Sequence, residues 1–147
     1  MSVLYYLDAS VWVKRYFAEA GSAWMHTLFR REVTLASTVL GHIEVAAALA
    51  RRSRPGTSLP ALQQQLLTEW GSMLQFELTS SIYEQALLLA WERKLRGADA
   101  VHLAAAHQLQ QQASRPSLNF VLVTSDTELI RAAQEWQLAV TNPAELA

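Results

Sequence analysis

Two short runs, VLYYL at 3–7 and FVLVT at 120–124, are built from apolar and β-forming residues without a polar residue at every second position. That pattern belongs to a strand covered on both faces, as in the middle of a parallel sheet, rather than to a sheet with one wet side. Weaker strand candidates lie at 33–36, 74–78 and 138–141. Between the candidates the spacing predicts helices over 10–17, 22–31, 38–52, 61–70, 82–94, 98–112 and 127–136. Strands alternating with helices predict an α/β fold with a mostly parallel sheet. SRPGTSLP at 53–60 and ASRPS at 113–117 read as loops from their prolines and glycine, and neither is long enough to separate domains. One domain over 1–147 is expected.

Composition narrows the function classes. Twelve Lys+Arg against thirteen Asp+Glu leave a net charge of −1, so a nucleic-acid site would have to be local. The absence of cysteine removes disulfides, thiolate nucleophiles and Cys-ligated zinc or iron–sulfur clusters. The N-terminal MSVLYYLDASVWV carries no basic segment and is interrupted by Asp8, which argues against a signal peptide or a membrane span and for a cytoplasmic protein.

Only three aspartates occur, Asp8, Asp99 and Asp126, against ten glutamates. Asp disfavours helix interiors because it competes with its own backbone, so each position asks for a reason. Asp8 and Asp126 follow the two strongest strands, and ligands of open α/β sheets bind beyond the carboxyl ends of strands. Asp99 falls in the first turn of a helix, on a face shared with His102, Leu103 and Ala106. Glu44 sits among Ile43, Val45 and a run of alanines, where a carboxylate needs a counter-charge or a bound cation.

Each acid also has an ordinary reading. Ser125 and Glu128 fit the N-cap and N3 positions of a capping box, with Asp126 complementing the dipole; Asp99 could do the same for its helix. Glu44 could pair with Arg51 or Arg15, and Asp8 could open a turn. One cation site accounts for all four together. Four carboxylates with no cysteine and no suitable histidine pair specify a hard cation, Mg2+ or Mn2+, rather than zinc. Without it the acids repel one another, so the metal-free protein is expected to be the less stable form near neutral pH.

YLDASVWVKRY at 6–16, GHIEVAAALARR at 41–52, GADAVHLAAA at 97–106 and VTSDTEL at 123–129 resemble, in order and spacing, the PIN-domain ribonucleases, specifically the VapC toxins of prokaryotic VapBC toxin–antitoxin pairs. The resemblance extends to LAVTNP at 138–143. It implies a three-layer α/β/α sandwich with an acidic pocket at the strand ends. It also implies Asp8, Glu44 and Asp99 as the main metal ligands, Asp126 as a fourth acid, and hydroxyls of Ser10, Thr124 or Ser125 near the metal. The same resemblance implies a homodimer and inhibition by a cognate VapB-like antitoxin.

The chemistry expected at such a site is metal-assisted hydrolysis of an RNA phosphodiester, leaving 5′-phosphate and 3′-hydroxyl ends. Eight of the twelve basic residues cluster near the acids, as Lys14/Arg15, Arg51/Arg52/Arg54 and Arg93/Lys94/Arg96. Lys14, Arg15, Arg51 and Arg52 are the candidates for RNA or antitoxin contact, whereas the Arg93 cluster also suits a helix C-terminus. Trp12, Phe17, Trp70 and Trp91 are expected in a core or interface, and His102 as a packed hydrogen-bond partner rather than a general base. A zinc deaminase is excluded because His42-Ile43-Glu44 lacks the required Cys pair. Two rivals are a catalytically silent RNA- or partner-binding module and a metal-dependent phosphatase of the haloacid dehalogenase type. The latter needs a second Asp where Ser10 stands.

Overall fold

The computed structural model describes residues 2–112 and 118–146, so the expected loop at 113–117 lies outside the described residues. The chain runs β1 (Ser2–Leu7), α1 (Ala9–Trp12), α2 (Ser22–Arg30), β2 (Thr34–Thr38), α3 (Val39–Arg52), α4 (Leu59–Gly71), β3 (Leu74–Phe76), α5 (Ser80–Arg93), α6 (Gly97–Gln112), β4 (Leu118–Val123), α7 (Thr127–Glu135) and β5 (Val140–Thr141). The strands form one sheet in the order β3-β2-β1-β4-β5, and every pairing is parallel.

The unbroken apolar runs end up where parallel strands need them. β1 pairs with β4 along its whole length, from Ser2 opposite Leu118 to Leu7 opposite Val123. Side chains of β1 alternate between two cores: Leu4 and Tyr6 face one, with α5, α6 and α7, while Tyr5 and Leu7 face the other, with α1 to α4. These are the three layers of an α/β/α sandwich. α6 buries Ala100, Leu103, Ala104, Ala105 and Ala106, and the small side chains let it lie close against the sheet.

Several boundaries move from their expected places. The helix expected over 10–17 stops at Trp12 and tightens into a 3-10 turn at Val13–Arg15. The loop expected over 53–60 yields its last two residues to α4, which Ser58 caps with Pro60 in the first turn. Thr38 closes β2 and caps α3, its hydroxyl accepting from Gly41 N–H at 3.1 Å.

The strand order places a switch point at β1. The chain builds outward from β1 through β2 to β3, then returns beside β1 as β4 and goes the other way to β5. The carboxyl ends of β1 and β4 therefore lie side by side at the switch point, the usual ligand position in this architecture.

Candidate metal centre

Asp8, Glu44, Asp99 and Asp126 come from four separate segments and line one pocket of about 230 Å³, together with Ser10, Arg96 and His102. Asp8 is the residue immediately after β1 and is only 3% exposed. Its Oδ1 accepts from Ser10 Oγ at 2.7 Å and from Val11 N–H at 3.3 Å, and its Oδ2 accepts from Thr124 Oγ1 at 2.5 Å. The two hydroxyls are held in turn by the chain after β4: Ser125 N–H donates to Ser10 Oγ and Asp126 N–H to Thr124 Oγ1. Burial pushes the Asp8 carboxyl above its ordinary range, against the opposing pull of His102 and of these donors. All its hydrogen-bond donors are neutral, so the ionised form lacks a matching charge at contact distance.

Of the three expected hydroxyls, Ser10 and Thr124 hold Asp8. The Ser125 hydroxyl turns away and donates to Asn142 Oδ1 at 2.7 Å. The capping box expected at 125–128 is shifted by one residue. Asp126, not Ser125, is the N-cap of α7, with Oδ1 accepting from Glu128 and Leu129 N–H at 3.0 and 3.1 Å. An aspartate with two acceptor oxygens can cap with one and present the other, and Oδ2 of Asp126 faces Arg96 at 2.6 Å.

Glu44 is paired neither with Arg51 nor with Arg15. His102 Nε2 lies 2.6 Å from Glu44 Oε1, and Tyr6 Oη lies 2.7 Å from Nδ1 of the same ring. With the phenol of Tyr6 donating to Nδ1, the ring proton sits on Nε2 and points at Glu44. α3 can approach closely enough because residue 41 is glycine: a Cβ there would stand 2.4 Å from Ser37 Oγ and 3.4 Å from His102 Cε1.

Asp99 is buried in the first turn of α6, and its carboxyl is raised by burial first and then by Asp126, against the pull of Arg96. Asp99, Asp126 and Glu128 each offer an oxygen, and the three lie within 4.8 Å of one another. The compact trio therefore differs from the expected Asp8, Glu44 and Asp99, which share the same pocket. Glu128 was hidden inside the stretch read as a capping box, two residues beyond Asp126. The donor set fits a hard divalent cation: all available ligands are carboxylate oxygens, His102 is engaged at both nitrogens, and one buried carboxylate lacks a charge partner.

The basic candidates divide. Lys14 is buried beside Glu19 at 3.4 Å, and Arg15 binds Glu69 at 2.7 Å and lies over Phe29. Both are turned inward by these partners, which leaves them less open to RNA or antitoxin than Arg51. Arg51 is exposed near the end of α3, and Arg52 lies over Phe17 and pairs with Glu19 at 3.2 Å. Trp12 and Trp70 are buried and stacked, as expected of core aromatics, whereas Trp91 is 80% exposed.

Residues 5–135 match the PIN domain family. Ribonuclease VapC45 of Mycobacterium tuberculosis (strain CDC 1551 / Oshkosh) is 36% identical over 107 residues, covering 70% of this chain and 74% of its own length. The crystal structure of PAE2754 from Pyrobaculum aerophilum superposes with a TM-score of 0.62 at 27% identity, covering 89% of this chain and 86% of that one. A toxin–antitoxin complex from Klebsiella pneumoniae shares the fold, with a TM-score of 0.65 at 17% identity over 97% of this chain and 98% of that one.

Proposed function

We propose a function from one premise: the chain belongs to the PIN-domain family. It is a metal-dependent endoribonuclease, the toxin of a type II toxin–antitoxin pair, acting in the cytoplasm on RNA and restrained by a cognate antitoxin. The observation that carries this reading is the convergence of Asp8, Glu44, Asp99 and Asp126 on one pocket at the sheet's switch point. The similarity to a ribonuclease and to a toxin–antitoxin complex supports the substrate class and the partner.

Asp8, Asp99 and Asp126 would hold Mg2+ or Mn2+, with Glu44 or Glu128 completing the set. A bound divalent cation would supply positive charge against the phosphate and make a water it holds easier to deprotonate. The chain's own residues do the rest. Ser10 and Thr124 fix the direction of the Asp8 carboxylate, and Val11 N–H holds its inner edge. His102 holds Glu44 toward the pocket and is itself held by Tyr6. The α6 N-terminus favours negative charge at Asp99. Such hydrolysis needs no 2′-hydroxyl nucleophile: water attacks phosphorus in line, the P–O3′ bond breaks and the 3′-oxygen leaves with a proton, so the products carry 5′-phosphate and 3′-hydroxyl ends.

Exposed Arg51, with Arg52 beside it, is the basic pair left to meet RNA or antitoxin. The apolar row of Tyr83, Leu87, Leu88 and Trp91 along α5 supports assembly with a second copy of the chain. No helix among the described residues is long and apolar enough to cross a membrane.

The test is cleavage of an end-labelled cellular RNA pool by antitoxin-free protein with Mg2+ or Mn2+, with EDTA, and with Asp8→Asn. Discrete fragments that need the metal and disappear in the variant are expected. Cyclic phosphate ends would sink the mechanism, and equal cutting by Asp8→Asn would sink the site.

A further inference from the structure

Among the described residues lining the pocket, Arg96 carries the one permanent positive charge, and it sits on the carboxylate oxygens themselves. Lys94, left-handed at φ 56°, ends α5 and turns the chain; Leu95 packs against the core, and Arg96 O accepts from Ala100 N–H at 2.9 Å as α6 begins. From that anchored backbone Nε reaches Asp99 Oδ2 at 3.3 Å, and Nη2 reaches Asp126 Oδ2 at 2.6 Å. Glu128 Oε2 is 3.8 Å from Nε. These are the same three acids whose oxygens lie within 4.8 Å of one another. The guanidinium therefore sits on the same three acids that a divalent cation would use.

The Arg96 side chain is 68% exposed, so leaving those oxygens sacrifices little buried packing. Its neighbour Arg93 is engaged elsewhere, on Glu135. The planar fork of a guanidinium matches a phosphate as well as a carboxylate.

The geometry points to Arg96 as a resident counter-cation: it bridges Asp99 and Asp126 and offsets part of their negative charge in the metal-free protein, a divalent cation displaces it, and the released guanidinium donates to a phosphate oxygen of the RNA. This inference rests on the metal-dependent nuclease reading. It gives the pocket a built-in restraint, since metal entry must overcome the ion pairs to Asp99, Asp126 and Glu128 before the basic group becomes available to substrate. Arg96 belonged to the sequence cluster that also suited a helix end, and its reach to Asp126, 30 residues away, is visible only in the fold.

The experiment is calorimetric titration of Mn2+ into RNA-free wild type, Arg96→Gln and Arg96→Lys, each checked for an unchanged circular dichroism spectrum. Arg96→Gln should bind Mn2+ roughly three- to tenfold more tightly, the range two partly exposed ion pairs supply, with Arg96→Lys in between. Equal or weaker binding by Arg96→Gln would make Arg96 a strut that orients the acids and would overturn the competition. At saturating Mn2+ the Gln variant should raise KM for RNA by roughly tenfold, the size of one lost charged hydrogen bond, and change kcat less. An unchanged KM overturns the phosphate contact. If wild type bound Mn2+ but cut no RNA, the nuclease reading and the phosphate contact would fall together, while the competition would still be decided by the titration.

Discussion

Glu69 and Asp8 are both nearly buried carboxylates, at 9% and 3% exposure, and the chain treats them in opposite ways. Glu69 accepts from Arg15 Nε and Nη2 at 3.1 and 2.7 Å, from Tyr16 Oη at 2.6 Å and from Trp12 Nε1 at 3.3 Å. A full positive charge and three further donors, the third being Gln65 Nε2 at 3.5 Å, satisfy it, and it ties α4 to the start of the chain. Asp8 receives only two hydroxyls and one amide, all neutral. It is oriented but has no counter-charge, which leaves its oxygens for something from outside. The difference separates a carboxylate that holds the fold together from one that the fold holds ready.

The sharpest way to break that distinction is to neutralise each acid in turn. Asp8→Asn should lower RNA cleavage by roughly three orders of magnitude or more, since it removes charge from the metal site while keeping the side chain's size. Its melting temperature in EDTA should equal or exceed that of wild type, because the desolvated charge is gone. Glu69→Ala should do the reverse. Losing the partner of Arg15 and leaving Trp12 and Tyr16 without their acceptor costs about 3 kcal/mol, or roughly 10 °C in melting temperature. Cleavage per folded molecule should hardly change. If Glu69→Ala instead lost activity at full stability, the two carboxylates would not differ in kind.

The contrast also appears in pH. The folded-state values of Asp8 and Asp99 lie above the ordinary 3.8, chiefly because burial penalises the charged form. A raised carboxyl holds its proton more tightly in the folded state than in the unfolded one. Its stabilising contribution is therefore complete below the unfolded value and is lost as pH rises from about 3.8 through the folded value; above that the penalty is constant. Metal-free wild type should lose melting temperature across this window, and Asp8→Asn should lose less. Mg2+ or Mn2+ should recover the loss near neutral pH and have little effect at the acidic end, where the acids are protonated. A flat melting profile in EDTA would remove the argument that Asp8 awaits a counter-charge.

How much of this was legible in the chain depends on distance along it. The runs at 3–7 and 120–124 carry their own evidence for burial on both faces, and the structure pairs them residue by residue. All four site acids could be singled out because each stood where its residue type needed a reason. The edges were less readable: the strand expected over 74–78 shrinks to Leu74–Phe76, and that over 138–141 to Val140–Thr141, where few neighbours specify the ends. Pairings across the fold were hidden. Glu69 has its Arg15, Tyr16 and Trp12 partners 53 to 57 positions away and belongs to no motif, and Glu44 meets His102 at a separation of 58. Lys14 and Arg15 looked like a surface pair because charge suggests exposure, yet they follow the buried Trp12 and turn in toward Glu19 and Glu69.

The smallest expected effect tests whether the holding extends one layer behind the acids. Tyr6 is fully buried, and its hydroxyl touches His102, not the pocket itself. Tyr6→Phe keeps the ring and its edge contact with the imidazole, and removes the hydroxyl that meets Nδ1 of His102 and the Thr38 side chain. The ring can then present either nitrogen to Glu44, and in the wrong tautomer an acceptor would face a carboxylate. Cleavage should fall by roughly ten- to a hundredfold, as for other partners that orient metal ligands, with Mn2+ affinity weakened in the same direction. Stability should fall by about 1 kcal/mol. Because Glu44 is the more exposed acid and Asp8 is oriented by a separate set of hydroxyls, Tyr6→Phe should remain well above Asp8→Asn in activity. Equal losses would mean that Tyr6, His102 and Glu44 act as one unit with Asp8, and the boundary between the oriented carboxylate and its supports would have to be drawn one layer deeper.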